Sequence, residues 1–222
     1  GMMGDGKALQ AGTSHNLGQN FAKAFDIKYQ DKNNELQFCW TTSWGLSTRF
    51  VGAIIMVHGD DKGLIMPPRL APYQAVIVPI FKNDDEKAKV MDVVKKIRAE
   101  LAAADIRVKV DDRDESPGFK YNDWEMRGVP LRIEVGPKDV EKGTVALARR
   151  DRPGKEGKSF VPQAGLAGTV DKALKDIQQA LYDRALAFRQ ANTYDPKDYA
   201  EFKTAVEKGF AFSYWCGEGE CE

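Results

Sequence analysis

Long hydrophobic runs and an excess of charge of either sign are both missing from this sequence. The longest apolar stretch runs from Phe50 to Val57, which is far too short to span a bilayer, so no membrane partner is expected. Across 222 residues, 33 basic side chains balance 33 acidic ones. No global cationic field therefore draws the protein to nucleic acid, and any RNA contact has to come from a local patch.

Cysteine is also scarce. The three cysteines, Cys39, Cys216 and Cys221, are odd in number and widely spread. They do not form a disulfide framework, and reduced thiols in a cytoplasmic protein fit better. Cys216 and Cys221 have the spacing of half a zinc site, but a structural zinc ion takes four ligands. Two interpretations stay open: two free thiols, or one part of an incomplete zinc site.

Hydrophobic periodicity divides the chain into three parts. In residues 1–72 the pattern predicts a short amphipathic helix at 16–25 and strands at 27–30 and 36–42. It also predicts a helix that begins at Arg49 and ends at Gly59 in a left-handed conformation. Residues 73–190 alternate strands (75–80, 106–110, 131–135, 144–149) with two long helices, one capped by Asn83 or Asp84 and one near 169–188. Shorter helical segments are predicted near 121–127 and 139. Residues 191–222 form a polar tail. The predicted fold class is α/β, with a layered α/β domain in the middle part.

Two segments near the start place polar donors beside small residues. They are Gln10–His15 and Ser43–Arg49, and the second ends where a helical pattern begins. An arginine at that point presents a fork of donors next to a helix N-terminus, which suits a polyphosphate. His58, at the other end of the same helix, is interpreted as a cation near the negative end of the helix dipole.

Several segments together resemble the prolyl-tRNA synthetases of the type shared by archaea and eukaryotes. The matching elements are Gln10 with Gly12–His15, Leu17–Phe21, Trp44–Arg49, His58–Asp60, Gly63–Pro72, Ser116–Lys120, Trp124–Glu125 and Gly128–Pro130. The resemblance implies three domains. Residues 1–72 would be the C-terminal part of a class II antiparallel-sheet catalytic domain. Residues 73–190 would be an anticodon-binding domain, and residues 191–222 the start of an incomplete zinc-type C-terminal domain.

The resemblance also implies a reaction and the residues that carry it. The parent enzyme, expected to be a homodimer, would activate L-proline with ATP and Mg²⁺ and transfer it to tRNA(Pro). Because the proline carboxylate itself attacks ATP, no protein nucleophile is needed. Arg49 would be catalytic. The other ATP-binding residues would be Gln10, Thr13, Ser47 and Thr48, the proline-binding residues His15 and Trp44, and the anticodon contacts Arg113, Lys120, Trp124 and Glu125. Cys216 and Cys221 would belong to the zinc site.

The family's first and second class II signatures have no counterpart in this sequence. We therefore expect this chain to be catalytically incompetent by itself. An alternative hypothesis is a non-catalytic anticodon-domain protein that binds tRNA, against which the Gln10–His15 loop and Arg49 weigh. A third hypothesis is a nucleotide-binding α/β domain of unrelated function. Against it, this sequence has no glycine-rich phosphate motif after a predicted strand.

Overall fold

The computed structural model describes residues 1–152, 154–214 and 217. The first part contains β1 (Gly12–Gly18), α1 (Asn20–Ala24), β2 (Lys28–Gln30), β3 (Leu36–Phe38), β4 (Thr41–Leu46) and α2 (Arg49–His58). The middle part contains β5 (Ala75–Pro79), α3 (Asp84–Ala103), β6 (Val108–Val110), α4 (Pro117–Met126), β7 (Leu131–Val135), α5 (Pro137–Lys142), β8 (Thr144–Arg149), β9 (Lys158–Pro162) and α6 (Leu166–Ala191). The last part contains β10 (Thr193–Tyr194), α7 (Tyr199–Lys208) and β11 (Phe210–Ala211). Cys216 and Cys221 lie outside the described residues.

A five-stranded mixed sheet in the order β6-β5-β7-β8-β9 organises the middle part. Strand β5 pairs in parallel with both β6 and β7, while β8 and β9 extend the sheet antiparallel. All five residues of β5 are buried, because helices cover the sheet on both faces. Ala75 and Ile77 face α3 and α6, whereas Val76 and Val78 face Trp124 of α4. The predicted α/β layers are confirmed.

The two long helices follow from the sequence pattern. The Asn83 side chain accepts a hydrogen bond from the Glu86 backbone, and three acidic residues occupy the first turn of α3. Apolar positions at helical spacing are buried on both helices: Val90, Val94, Ile97 and Leu101 on α3, and Leu166, Val170, Leu174, Ile177 and Leu181 on α6. Each contributes about 1.5–3 kcal/mol to the free energy of unfolding. Within the described ranges, no helix is both long enough and apolar enough to cross a membrane.

The first part of the chain buries very little. Strands β1 and β4 form one antiparallel pair and β2 and β3 another, so neither sheet has a third strand among the described residues. None of the α2 residues is buried, and Val51 and Ile55, which lie four residues apart on one apolar face of the helix, are exposed. A two-stranded ribbon offers no second layer against which a helix can bury that face.

Several local predictions are wrong. The segment 16–25 was expected to be helical throughout, but its first residues extend β1 and only Asn20–Ala24 is helical. Gly59 has φ −64° and ψ 158°, an extended rather than left-handed conformation. Strand β9 was not predicted, because an edge strand ending in Pro162 shows little alternation. Burial and then the charge of Arg184 lower the pKa of His58, which favours the neutral imidazole over the predicted cation.

A connecting segment, residues 59–74, joins the two parts and is packed along its length. The amides of Leu64 and Met66 donate to the carbonyls of Met126 and Gly128 at 3.0 Å each. Gly128 has φ +73°, and a Cβ atom there would lie 2.5 Å from the Leu64 Cβ. Only glycine therefore permits the two backbones to approach this closely. The predicted domain boundary at residue 72 stays a prediction, but the residues before it already lie against the α/β domain.

Gly128→Ala tests this close approach. We expect the free energy of unfolding to fall by about 2 kcal/mol or more, because the new methyl group meets backbone and the left-handed φ is strained. The matched control is Gly118→Ala in α4, where a Cβ meets nothing within 4 Å, and we expect stability to be unchanged or slightly raised. Urea unfolding followed by tryptophan fluorescence measures both. Equal stability of the two variants would contradict the close-approach interpretation.

Candidate nucleotide and RNA sites

Three of the predicted ATP-binding residues form one chain of hydrogen bonds. Arg49 Nη1 donates to Gln10 Oε1 at 2.9 Å, and Gln10 Nε2 donates to Thr13 Oγ1 at 3.1 Å. The pairing of β1 with β4 brings these segments together, since Thr13 lies opposite Gly45 just before the turn into α2. The Ser47 hydroxyl accepts from the Arg49 backbone amide at 3.3 Å, and Thr48 stands at the helix N-cap without a side-chain capping bond. The arrangement presents polar donors at the N-terminus of α2.

The side chains of His15 and Trp44, the two predicted proline-binding residues, project from opposite faces of the β1–β4 ribbon. In the β1–β4 register Trp44 lies opposite Ser14, and His15 lies opposite Ser43. Directly opposed residues share a face and successive residues alternate, so the two side chains project from opposite faces of the ribbon. His15 is on the face of Thr13, whereas Trp44 is 75% exposed on the other. Their separate assignments to proline binding stay predictions.

A buried carboxylate organises the loop between β6 and α4. Asp111 accepts hydrogen bonds from Arg113 Nε at 2.8 Å, Arg113 Nη2 at 2.7 Å and Trp124 Nε1 at 2.7 Å. The bonds from Arg113 lower the pKa of Asp111 to about 2, although burial acts in the opposite direction. Arg113 Nη2 also bonds Asp123 Oδ2 at 2.7 Å. Asp111 therefore attaches both the loop and helix α4 to the end of β6.

The structure separates the four predicted anticodon contacts into two pairs. Lys120 and Trp124 are buried, because these positions four residues apart face the sheet, and Lys120 Nζ donates to the Asp111 carbonyl at 3.3 Å. Neither side chain lies on an accessible surface, as a direct contact to RNA would require. Arg113 and Glu125 remain accessible, with side chains 41% and 31% exposed. Whether any of the four contacts RNA stays a prediction.

A cavity of about 250 Å³ opens beside α4 on the same face of the sheet. Its polar and charged lining comprises Lys62, Glu125, Arg132, Arg149, Arg150, Arg152 and Lys158, with Val76 and Trp124 among its apolar walls. Cations outnumber carboxylates here although the chain as a whole is neutral. This is the local basic patch that RNA binding requires of such a chain.

Two carboxylates and an aromatic ring orient Arg132, one of the arginines that line the cavity. Its Nη1 donates to Glu125 Oε1 at 3.0 Å and its Nε donates to Glu134 Oε1 at 3.1 Å. The guanidinium carbon lies 3.9 Å from the centre of the Tyr121 ring. Burial, followed by the charge of Glu134, raises the pKa of Tyr121, so this ring stays neutral. Among the described residues Nη2 of Arg132 donates no hydrogen bond, which leaves that edge of the guanidinium for a ligand.

The basic run Arg149–Arg152 can be read from the sequence as a phosphate-binding patch or as a solvated turn. Arg149 is instead bidentate with Asp151, and Arg150 is buried against Asp60. Sequence reasoning also missed Arg132, although Arg132 and Glu134 occupy alternate positions of a strand and so mark one polar face. It missed Lys62 as well, for which the sequence gives no signal, because the turn that carries it meets Arg150 across 90 residues.

The described residues offer few groupings of side chains that could bind a metal ion. Across the part of the chain that the structure describes, no three His, Cys, Asp or Glu side chains gather into a candidate metal site. The zinc prediction rests on Cys216 and Cys221, which are outside this part.

All of the residues that line the cavity except Lys62 lie in a region that matches a known family. Residues 74–161 match the family described as "Anticodon binding domain". The chain is 61% identical over its full length to the "Proline--tRNA ligase" of Roseiflexus castenholzii, of which it covers 46%. It is 62% identical over 98% of its length to the "Proline--tRNA ligase" of Chloroflexus aurantiacus, of which it covers 45%. It is 53% identical over 94% of its length to the "Proline--tRNA ligase, chloroplastic/mitochondrial" of Arabidopsis thaliana, of which it covers 39%. The chain thus spans somewhat less than half the length of these relatives.

Asp111→Asn tests the organising carboxylate. We expect a loss of about 3 kcal/mol in the free energy of unfolding at pH 7, because the buried amide of asparagine cannot replace the two charge-assisted hydrogen bonds that Arg113 donates to the carboxylate. The pKa of Asp111 is lowered from 3.8 to about 2 on folding, so the ionised group stabilises the protein above pH 4, and this contribution disappears as the pH falls through 2. The difference between wild type and variant should therefore shrink by about 2 kcal/mol between pH 5 and pH 2. Urea unfolding at each pH measures it, and the exposed neighbour Asp112→Asn is the control. A pH-independent difference would contradict the assignment.

Proposed function

We propose that this chain, which is homologous along its whole length to proline–tRNA ligases, belongs to an enzyme that activates L-proline with ATP and attaches it to tRNA(Pro). The observation that carries the proposal is the end-to-end match at 61% identity. The hydrogen-bonded chain from Thr13 through Gln10 to Arg49 supports it over a protein that only binds tRNA, because a pure RNA binder has no use for a polyphosphate site.

The α/β domain would hold the anticodon at the basic cavity. Sequence-specific proteins read RNA bases that are splayed out of the stack, through aromatic or arginine planes and hydrogen bonds to base edges. Every proline codon begins with two cytosines, so the anticodon presents two guanines. The O6 and N7 atoms of guanine accept from a guanidinium such as the free edge of Arg132, and a carboxylate such as that of Glu125 accepts from its N–H groups.

The predicted anticodon residues take different parts in this proposal. Glu125 lines the cavity and would contact a base directly, while Arg113 would contact the RNA from the adjoining loop. Lys120 and Trp124 would act by holding α4 against the sheet, since their side chains are buried. Two of the four are thus proposed as contacts and two as supports.

At the other site, Arg49 would stabilise the charge that develops on the phosphates, with Gln10, Thr13, Ser47 and Thr48 as further ATP donors. His15, on the face of Thr13, would approach the proline, and Trp44 would contribute from the opposite face of the ribbon or through its backbone. Mg²⁺, when bound with ATP, supplies charge neutralisation at the phosphates. Zinc in the tail, a homodimeric assembly and a cytoplasmic location stay predictions.

Anticodon recognition is tested by the affinity of this chain for a fluorescent anticodon stem–loop of tRNA(Pro). We expect tighter binding to the natural RNA than to one with both guanines replaced by adenines. Glu125→Gln and Arg132→Met should each weaken binding about tenfold and reduce this preference, because each removes a base-edge partner. Lys96→Met, on the helix that covers the opposite face of the sheet, is the control. Equal affinity for the two RNAs would contradict the proposal.

The catalytic role of Arg49 is tested by proline-dependent ATP–pyrophosphate exchange in the full gene product. Arg49→Lys should lower the exchange rate about 100-fold, because lysine keeps the charge but loses the fork that bonds Gln10 and the phosphates together. Arg98→Lys, on the exposed side of α3, is the matched control. Exchange at the wild-type rate in Arg49→Lys would remove the role assigned to this residue.

A further inference from the structure

One wall of the basic cavity comes from outside the matched anticodon-binding region. Lys62 lines the cavity, yet it belongs to the connecting segment. It lies in a tight turn in which Asp60 and Gly63 exchange backbone hydrogen bonds at 2.9 and 3.0 Å. Asp60 Oδ1 also accepts from the Lys62 amide at 2.9 Å. The backbone from which the lysine projects is therefore fixed.

The buried guanidinium of Arg150 holds this turn in place. Arg150 Nη1 donates to Asp60 Oδ2 at 2.9 Å, Nη2 donates to Asp60 Oδ1, and Nη2 also reaches the Gly63 carbonyl at 3.3 Å. Its Nε donates to the Glu125 carbonyl at 3.0 Å. One side chain thus joins the turn that carries Lys62 to the end of helix α4 that carries Glu125.

Most of the cations around the cavity are paired with carboxylates, and Lys62 differs from them in this respect. Arg132 and Lys158 are paired with Glu134, Arg149 with Asp151, and Arg150 with Asp60. Over residues 1–152, 154–214 and 217, neither Lys62 nor Arg152 has a carboxylate within salt-bridge distance. Lys62 is an exposed residue that lines the cavity, so its charge is available to an anion.

We propose that Lys62 contacts an RNA phosphate at the mouth of the cavity, and that Arg150 is the positioning residue that places it there. A flexible lysine suits a phosphate better than a base edge, because its ammonium is a compact point charge without a fixed fork. The proposal rests on the function proposed above. It makes the RNA site a joint product of the α/β domain and the connecting segment.

The test measures binding of the same anticodon stem–loop to this chain over a range of KCl concentrations. Lys62→Met keeps the apolar stem and removes the charge. We expect affinity at low salt to fall about five- to tenfold, and the slope of log K against log salt to lose about 0.7, the value for one phosphate contact on a single strand. Lys96→Met should change neither quantity.

A double-mutant cycle tests the role of Arg150. Arg150→Lys keeps the charge but cannot bond Asp60 and Glu125 together, so the turn should shift and RNA affinity should fall about fivefold. In the Lys62→Met background the same change should have a much smaller effect, because the residue that it positions is already gone. Asp60→Asn is a second variant of the same contact, with its exposed neighbour Asp61→Asn as control.

The outcomes separate this inference from the proposed function. If the wild-type chain binds the natural stem–loop and the adenine-substituted one with equal affinity, the proposed function itself is contradicted. If wild type prefers it while Lys62→Met binds with unchanged affinity and salt slope, only the role of Lys62 is overturned. Fully additive effects of Lys62→Met and Arg150→Lys would overturn the positioning role. Circular dichroism shows whether Arg150→Lys folds, and Asp60→Asn decides the cycle if it does not.

Discussion

The candidate RNA site depends on the hydrogen bonds that the ionised carboxylate of Asp111 accepts. It lies at the end of β6, where it accepts hydrogen bonds from the indole N–H of Trp124 and from Nε and Nη2 of Arg113. Trp124 in turn packs on Val76 and Val78, so the carboxylate and the apolar contact together fix α4 on the sheet. Glu125 and Tyr121, which shape the cavity and orient Arg132, are carried by the same helix. A shift of α4 would therefore displace Glu125 and the partners that orient Arg132.

Much of the α/β domain could be predicted because its signals are local. The continuous apolar run at 75–80 indicates a strand buried on both faces, and the Asn83 cap with its acidic first turn marks the start of a helix. The exposed face of α2 could not be foreseen. An amphipathic pattern indicates that a helix has an apolar face, but it does not indicate which element packs against that face.

The site itself was only partly predictable. Glu125 was identified through resemblance, whereas Lys120 was taken for an accessible lysine and is buried beneath α4. Neither the spacing nor the charge of Lys120 distinguishes a long side chain that reaches along the helix from one that reaches into water. The pairing of Asp60 with Arg150 joins residues 90 positions apart, and only the folded chain brings them together.

The packed connecting segment changes what counts as a separable unit. If the polypeptide were divided at residue 73, the Met126 and Gly128 carbonyls would lose the amides that satisfy them, and Arg150 would keep a buried charge without its carboxylate. The region 74–161 that defines the matched family is therefore smaller than the portable module. A graft that transfers this domain to another scaffold has to begin at Gly59, upstream of the paired prolines, so that the recipient inherits the turn together with the sheet.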